Sequence, residues 1–516
     1  KLKSKPYLPP NHKTTMVSFL LSSKLSSMEN GNQFIPSKLI RLSPHEIENH
    51  LELSLRQAYE SLEKKLRPPF SLEIPEPQEY LELNKAIVYG VLCDSDSCKT
   101  HIKHIHAFVT DGYAYFTSLL VGIVVELYGK LVDSAKIQLL WATKEMIGVS
   151  SVGLEDLIVS LLRRIGSGDY SDHNLWLCSE LVSLFLDEWD CLLEEFPLAL
   201  TSALYSFLRL LADHCRVLGV AKLENVKRLE IKFCVKMFRE KLDLSLKIGR
   251  DLLRLLQDLI HVPEFREIRS VLIANQCLSK TSSRYFFLRI TPEMEIQLRF
   301  LLGNVKLGSH KRHQIWFLNK FLLGPEKETV LIDIVRFVCC AIHPTNEIIR
   351  SEIMPRWAVI GWCLELSRQS HHIERSVKLA LFYDWLFFED DNIMNVEPAA
   401  LLMVWSIPQY PQITHSLLEF LLHLVESCEL SRRDMIARGV ASAFRDIERK
   451  GVIRSLDILL LNPAVAPDLK KKLANLLAPV NLQQLSVPSK QTFLSSEAVL
   501  KECSTKAVEN PAKRAS

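Results

Sequence analysis

An all-α fold, arranged as an α-solenoid of antiparallel HEAT-like helix pairs with no significant β-sheet, is what this sequence predicts. Three observations carry the prediction. Apolar residues recur at helical spacing from about residue 43 to about 478, glycine is scarce at 17 in 516 residues, and no segment shows the two-residue alternation of a strand. The breaks between apolar stripes are short and hold Gly, Pro or Asp, as at 166–169, 262–263, 324–325 and 409–411. Helix after helix on short connections, with no shift in composition, predicts one body over 43–478. No sequence period is sharp enough to define the repeat itself.

The elements follow in order. Residues 1–42, rich in Ser, Lys and Pro, are expected to form a disordered or mis-started segment, with Met16 and Met28 as candidate starts. Ser43-Pro44-His45-Glu46 reads as a capping box with proline at the first helical position. The serine accepts from an orphan amide while the glutamate reaches back. Behind it Ile47, Leu51, Leu55, Ala58, Leu62 and Leu66 form a stripe, which Pro68-Pro69 ends. Helices are then predicted over 154–165, 175–193, 198–215, 223–238, 244–260 and 265–278. The 244–260 segment is apolar around most of its circumference, as in a helix buried within a second layer. Thr291-Pro292-Glu293 opens a further helix. Later ones are predicted over 331–342, 348–366, 377–388, 399–405, 413–425, 435–447, 453–461 and 469–477. Residues 479–516, with few apolar anchors, are expected to be a disordered tail.

Composition excludes several classes. Hydrophobic residues make up 48% and charged residues 24%, the balance of a folded globular chain, and the net charge of +3 leaves any nucleic-acid binding to a local patch. Twelve irregularly spaced cysteines, most within apolar helical patterns, read as small buried hydrophobes in a reducing compartment. The most apolar run, 113–125, falls short of the ~20 residues a bilayer span needs. No membrane partner is expected.

Motifs of catalysis are missing too. The two histidines of His45-Glu46-Ile47-Glu48-Asn49-His50 are five apart, not the four that place both imidazoles on one helix face for zinc. Cys93, Cys98, His101 and His104 have the right chemistry for zinc at a spacing that fits no standard site. The chain holds no G-x-S-x-G, no G-x-x-x-x-G-K-[ST] and no G-x-G-x-x-G, so neither an enzyme nor a cofactor is expected.

One stretch carries a binding pattern. Residues 268–324 hold nine Lys/Arg against two acids, Glu293 and Glu295, with seven aromatics interleaved. Cations among aromatics can track a phosphate backbone and stack bases. Arg299, Lys306, Lys311, Arg312 and Lys320 are the candidate nucleic-acid contacts; the competing reading places the aromatics in the core and the cations in solvent. Acidic runs, including Asp384, Glu389, Asp390 and Asp391, are suited to orienting charged protein partners.

Several sequence words have a family likeness. They are Arg356-Trp357-Ala358-Val359-Ile360-Gly361-Trp362, the block from Lys378 to Phe388, Gly249-Arg250-Asp251-Leu252, Thr291-Pro292-Glu293-Met294, His343-Pro344-Thr345-Asn346-Glu347 and Ile393-Met394-Asn395-Val396-Glu397-Pro398. Together they resemble the N-terminal half of the Integrator subunit 3 family over roughly 43–478. The resemblance implies a non-catalytic scaffold of the nucleus, with a cytoplasmic pool also allowed for. It implies partners: an OB-fold single-stranded-DNA-binding protein, a small accessory subunit and other Integrator subunits, with nucleic acid touched mainly through the OB-fold protein. It implies roles in the DNA damage response and DNA repair and in small nuclear RNA 3′-end processing. Arg356, Trp357, Asp384, Trp385, Asp390 and Asp391, which lie in or beside these words, are the candidate partner contacts. Tryptophans 357 and 385 have a competing reading as core. The family's C-terminal half does not follow, which points to a shortened product.

Overall fold

The computed structural model describes residues 37–41, 49–70, 73–274, 279–323, 327–389, 393–427 and 432–478. Twenty-five α-helices and two 3-10 helices account for most of them, and the only β pairings among the described residues are two isolated bridges, Ile40 with Leu131 and Lys306 with Ile353. The all-α prediction is borne out. Residues 37–41 pair by backbone hydrogen bonds with the 127–132 region, with Leu39 and Ile40 buried, while the predicted capping box at 43–46 lies outside the described residues. Asn49 caps the first described helix, His50–Leu62, its Oδ1 accepting from the amides of Leu51 and Glu52.

Three predicted helices are broken. The 244–260 segment is two helices, Leu242–Leu246 and Asp251–Asp258, because Gly249 adopts φ +88° between them. A Cβ there would lie 2.6 Å from the Ser279 carbonyl oxygen, so the close approach needs glycine as well. Predicted 348–366 is likewise Asn346–Ile349 and Arg356–Ser367, separated by a bridge segment that ends at Pro355. Predicted 175–193 breaks at Glu188 into Asp172–Asp187 and Trp189–Glu195. No single helix among the described residues is long and apolar enough to cross a membrane.

Apolar burial divides into two clusters. One runs from Leu39 to Leu288 and is centred on Pro197–His214, nearly every residue of which is buried. The other runs from Phe286 to Leu473, around Lys327–Cys340, Arg356–Ser367 and Ile393–Ser406. Between them lies a buried chain of charges. Arg289 donates to Asp251 (2.6 Å), to Asp333 (2.5 Å) and to the Tyr205 hydroxyl (2.5 Å). Tyr205 in turn donates to Asp251 (2.6 Å), and Arg209 holds the second Asp333 oxygen (2.6 Å). Arg336 extends the line from Asp251 (3.3 Å) to Asp384 (2.7 Å). Burial alone would raise the Asp251 carboxyl, but Arg289, Arg254 and Arg336 hold it well below the usual carboxylate range. Tyr205 and Asp251 come from the first cluster's helices; Asp333, Arg336 and Asp384 come from the second's. The ion line therefore fixes how the two apolar bodies meet, which apolar contact alone specifies weakly.

The second body is locked further at Gly439, in Arg433–Arg449. That helix crosses the 3-10 turn Tyr383–Phe387 so closely that a Cβ would stand 2.9 Å from the Leu386 carbonyl oxygen and 3.1 Å from that of Trp385. Backbone oxygens cannot swing aside. Gly439→Ala is expected to destabilise by about 1–3 kcal/mol through overpacking, although alanine is the better helix former by about 1 kcal/mol. Urea unfolding checks the sign.

Candidate protein-docking groove and basic hairpin

An open apolar surface is built where three segments meet: the 305–310 connection, the 342–356 segment and the helix Ile393–Ser406. They enclose a recess of about 930 Å³ whose walls include Ile342, Pro344, Ile348, Ile353 and Leu401. A second recess of about 400 Å³ lies beside it, lined by Gly361, Leu364, Leu402, Tyr410 and Ile413, with Glu365, Arg368, Glu374 and Lys378 bringing charge to it. Leu307, Trp357, Trp405 and Gln409 belong to both, so the two recesses form one groove. Its divider is the pair Trp357 and Trp405, whose rings stack at 6.5 Å and 13°.

Helical spacing explains the placement. Trp357 lies on the outer face of Arg356–Ser367, whereas Val359, Ile360 and Cys363 turn into the core. Trp405 lies off the buried stripe of Ile393–Ser406 and stays 60% exposed; Tyr410 follows at 54%, and Ile349 and Leu307 also line the groove at 52% and 38%. Large apolar side chains clustered and left open in this way mark an interaction surface rather than the scattered exposure of an ordinary monomer.

The candidate partner contacts fare unequally against this geometry. Trp357 lines the groove. Arg356, beside it, is buried: its guanidinium donates to the carbonyls of Ile342 (2.9 Å) and Met394 (2.8 Å) and to Glu397 (2.6 Å), holding three segments together. Trp385 is fully buried and packs edge-on against Phe444 at 4.9 Å. Asp384 is spent on Arg336. Burial thus corrects the reading of Arg356 and Trp385 as partner contacts, for Trp385 in favour of its competing reading as core, while Asp384 is half-buried and paired within the fold; Asp390 and Asp391 lie outside the described residues. The sequence reading missed Trp405, Tyr410 and Leu307. The aromatic-proline run Trp405-Ser406-Ile407-Pro408-Gln409-Tyr410-Pro411 was the available signal, since large rings beside helix-ending prolines have little core to enter.

The basic stretch also separates. Tyr285, Phe286 and Phe317 are core, and Arg289 belongs to the buried ion line. Arg299 pairs with Glu295 (2.6 Å) and Lys306 with Glu352 (2.9 Å), both at the surface. Lys311, Arg312 and Lys320 are exposed on Lys311–Phe321, with Trp316 (45%) and Phe300 (44%) open beside them. The histidines and cysteines weighed for zinc do not converge. His104 stacks on Phe70 at 4.2 Å, His101 packs against Gly90, and no group of three metal-ligating residues forms among the described residues.

Fold and surface together define a helical scaffold. The chain belongs to the Integrator complex subunit 3 family: the model of the Integrator complex subunit 3 N-terminal region matches residues 78–475. It is 34% identical over 450 residues to the Integrator complex subunit 3 homolog of Drosophila erecta, covering 83% of this chain and 41% of that protein. It is 32% identical over 412 residues to Integrator complex subunit 3 of Mus musculus (77% and 39%) and 34% over 378 residues to that of Pongo abelii (70% and 36%). The chain spans about two fifths of the length of such relatives.

Proposed function

We propose that this chain is a docking scaffold of the nucleus, without catalysis of its own, that works with other Integrator subunits. On this reading its helices stack as antiparallel HEAT-like pairs, and its C-terminal body receives an OB-fold single-stranded-DNA-binding protein and a small accessory subunit. The scaffold thereby serves the DNA damage response and DNA repair, and Integrator-dependent small nuclear RNA 3′-end processing. The single observation that best supports docking is the groove, in which Trp405 remains 60% exposed at the junction of two recesses. Aromatic anchors at the centre of a recess are the usual hot spots of protein association. Membership of the Integrator complex subunit 3 family supports the assignment of partners.

The test is reconstitution. The full chain, the OB-fold protein and the small subunit are mixed and passed over a sizing column with light scattering. Co-elution as one stoichiometric complex is expected. Separate elution of all three at micromolar concentration would remove the docking assignment.

A further inference from the structure

We infer that the hairpin of Pro292–Asn304 and Lys311–Phe321 is a second, separate site, which binds single-stranded nucleic acid directly. Lys311–Phe321 is an eleven-residue helix with one fully buried side chain, Phe317. His313, Gln314, Leu318 and Phe321 are half-buried, and the remaining side chains are exposed, including Ile315 at 58% and Trp316 at 45%. Arg312, Trp316 and Lys320 are spaced four apart and so share one ridge of the helix, about 12 Å from first to last. Lys320 places its ammonium 5.0 Å from the centre of the Trp316 ring. Across the hairpin, Phe300 approaches His313 at 5.6 Å, and His313 lies one turn before Trp316. Lys311 adds a further exposed cation. Neither Lys311 nor Arg312 forms an ion pair with a described residue, whereas the nearby acids are engaged: Glu293 with Arg164, Glu295 with Arg163 and Arg299, and Glu352 with Lys306.

The hairpin therefore presents net positive charge and two half-exposed rings, Trp316 beside the Lys320 ammonium and Phe300 beside His313, the combination that holds a polyanion whose bases are free to stack. A duplex offers no free base faces, and an acidic peptide gives the rings nothing equivalent. Leu307 and His310 lie at the base of the hairpin and also line the groove, so a strand held by a partner in the groove would have this ridge within reach. The inference does not rest on that docking.

Fluorescence anisotropy of the full chain with labelled oligothymidylate or oligouridylate of about 15 nucleotides tests it. Binding at about 50 mM salt is expected, with log affinity falling against log salt at a slope near −2 if three phosphates are neutralised. Arg312→Glu with Lys320→Glu should weaken binding at least about tenfold, and Trp316→Ala by about tenfold. The control Lys471→Glu, at an exposed position on Pro467–Leu477, should change it little. All replaced side chains are exposed, so unfolding midpoints should match wild type. Preference for the thymidylate or the uridylate identifies DNA or RNA as the ligand. No oligonucleotide binding, binding indifferent to the ridge variants, or binding of polyglutamate in place of the oligonucleotide would overturn the inference. None of these outcomes bears on Trp405 or the groove.

Discussion

Replacing Arg289 by methionine should lower the unfolding free energy by about 3–5 kcal/mol, the usual cost of leaving a buried charge without its partner. Arg289 is 4% exposed and satisfies Asp251, Asp333 and Tyr205 at once. Its loss leaves two interior carboxylates each short of one partner, with Arg209 still on Asp333 and Arg254 and Arg336 still on Asp251, so the cost is set by what remains, not by one bond. Arg289→Lys should recover little, because an ammonium cannot reproduce the guanidinium's planar fork. Removing the exposed pair Lys306 with Glu352 should instead cost within about 1 kcal/mol. The pH dependence has a fixed sign. Asp251 titrates below the ordinary carboxylate range in the fold, so its contribution is full above the unfolded value near ~3.9 and is lost as pH falls through the folded one. The arginine line thus adds stability at neutral pH that acid removes, and the penalty of Arg289→Met should shrink as pH falls and the under-partnered carboxylates protonate. Urea unfolding at neutral and acidic pH measures both effects.

Trp405→Ala should weaken binding of the OB-fold partner by at least about 2 kcal/mol, roughly thirtyfold, if the groove is its seat. The indole is 60% exposed and forms the divider of the groove with Trp357, so folding should hardly register the change. Trp357→Ala should weaken binding too but destabilise the chain, because that ring also packs against the second core. The split between the two tryptophans separates docking from stability.

Helical periodicity made the fold class legible, because burial of one face repeats every 3.6 residues wherever a helix lies on a core. It was silent on breaks. A run such as 244–260 keeps its apolar period across Gly249, whose positive φ answers to a backbone oxygen 30 residues away in sequence. The site was legible only in part. Trp357 and the cations of 311–320 lie at the surface, where a contact is open to them, but Arg356, read from the same words as a partner contact, is buried, and Trp385 follows its competing reading as core. An arginine that ties loop carbonyls together and one that awaits a partner have the same letter and the same neighbours. Trp405 was missed because a tryptophan at a helix end does not itself show how much of it the neighbouring helices will cover; here Trp357 stacks on it and the ring stays 60% exposed.

The measurement that tests the docking account most directly is titration calorimetry of the OB-fold protein into three forms of the full chain: wild type, Trp405→Ala, and Arg312→Glu with Lys320→Glu. The account predicts tight binding to the wild type, at least about thirtyfold weaker binding to the tryptophan variant, and affinity within about twofold of wild type for the hairpin variant. Equal affinity of Trp405→Ala and wild type, or binding that requires an added oligonucleotide, would contradict it.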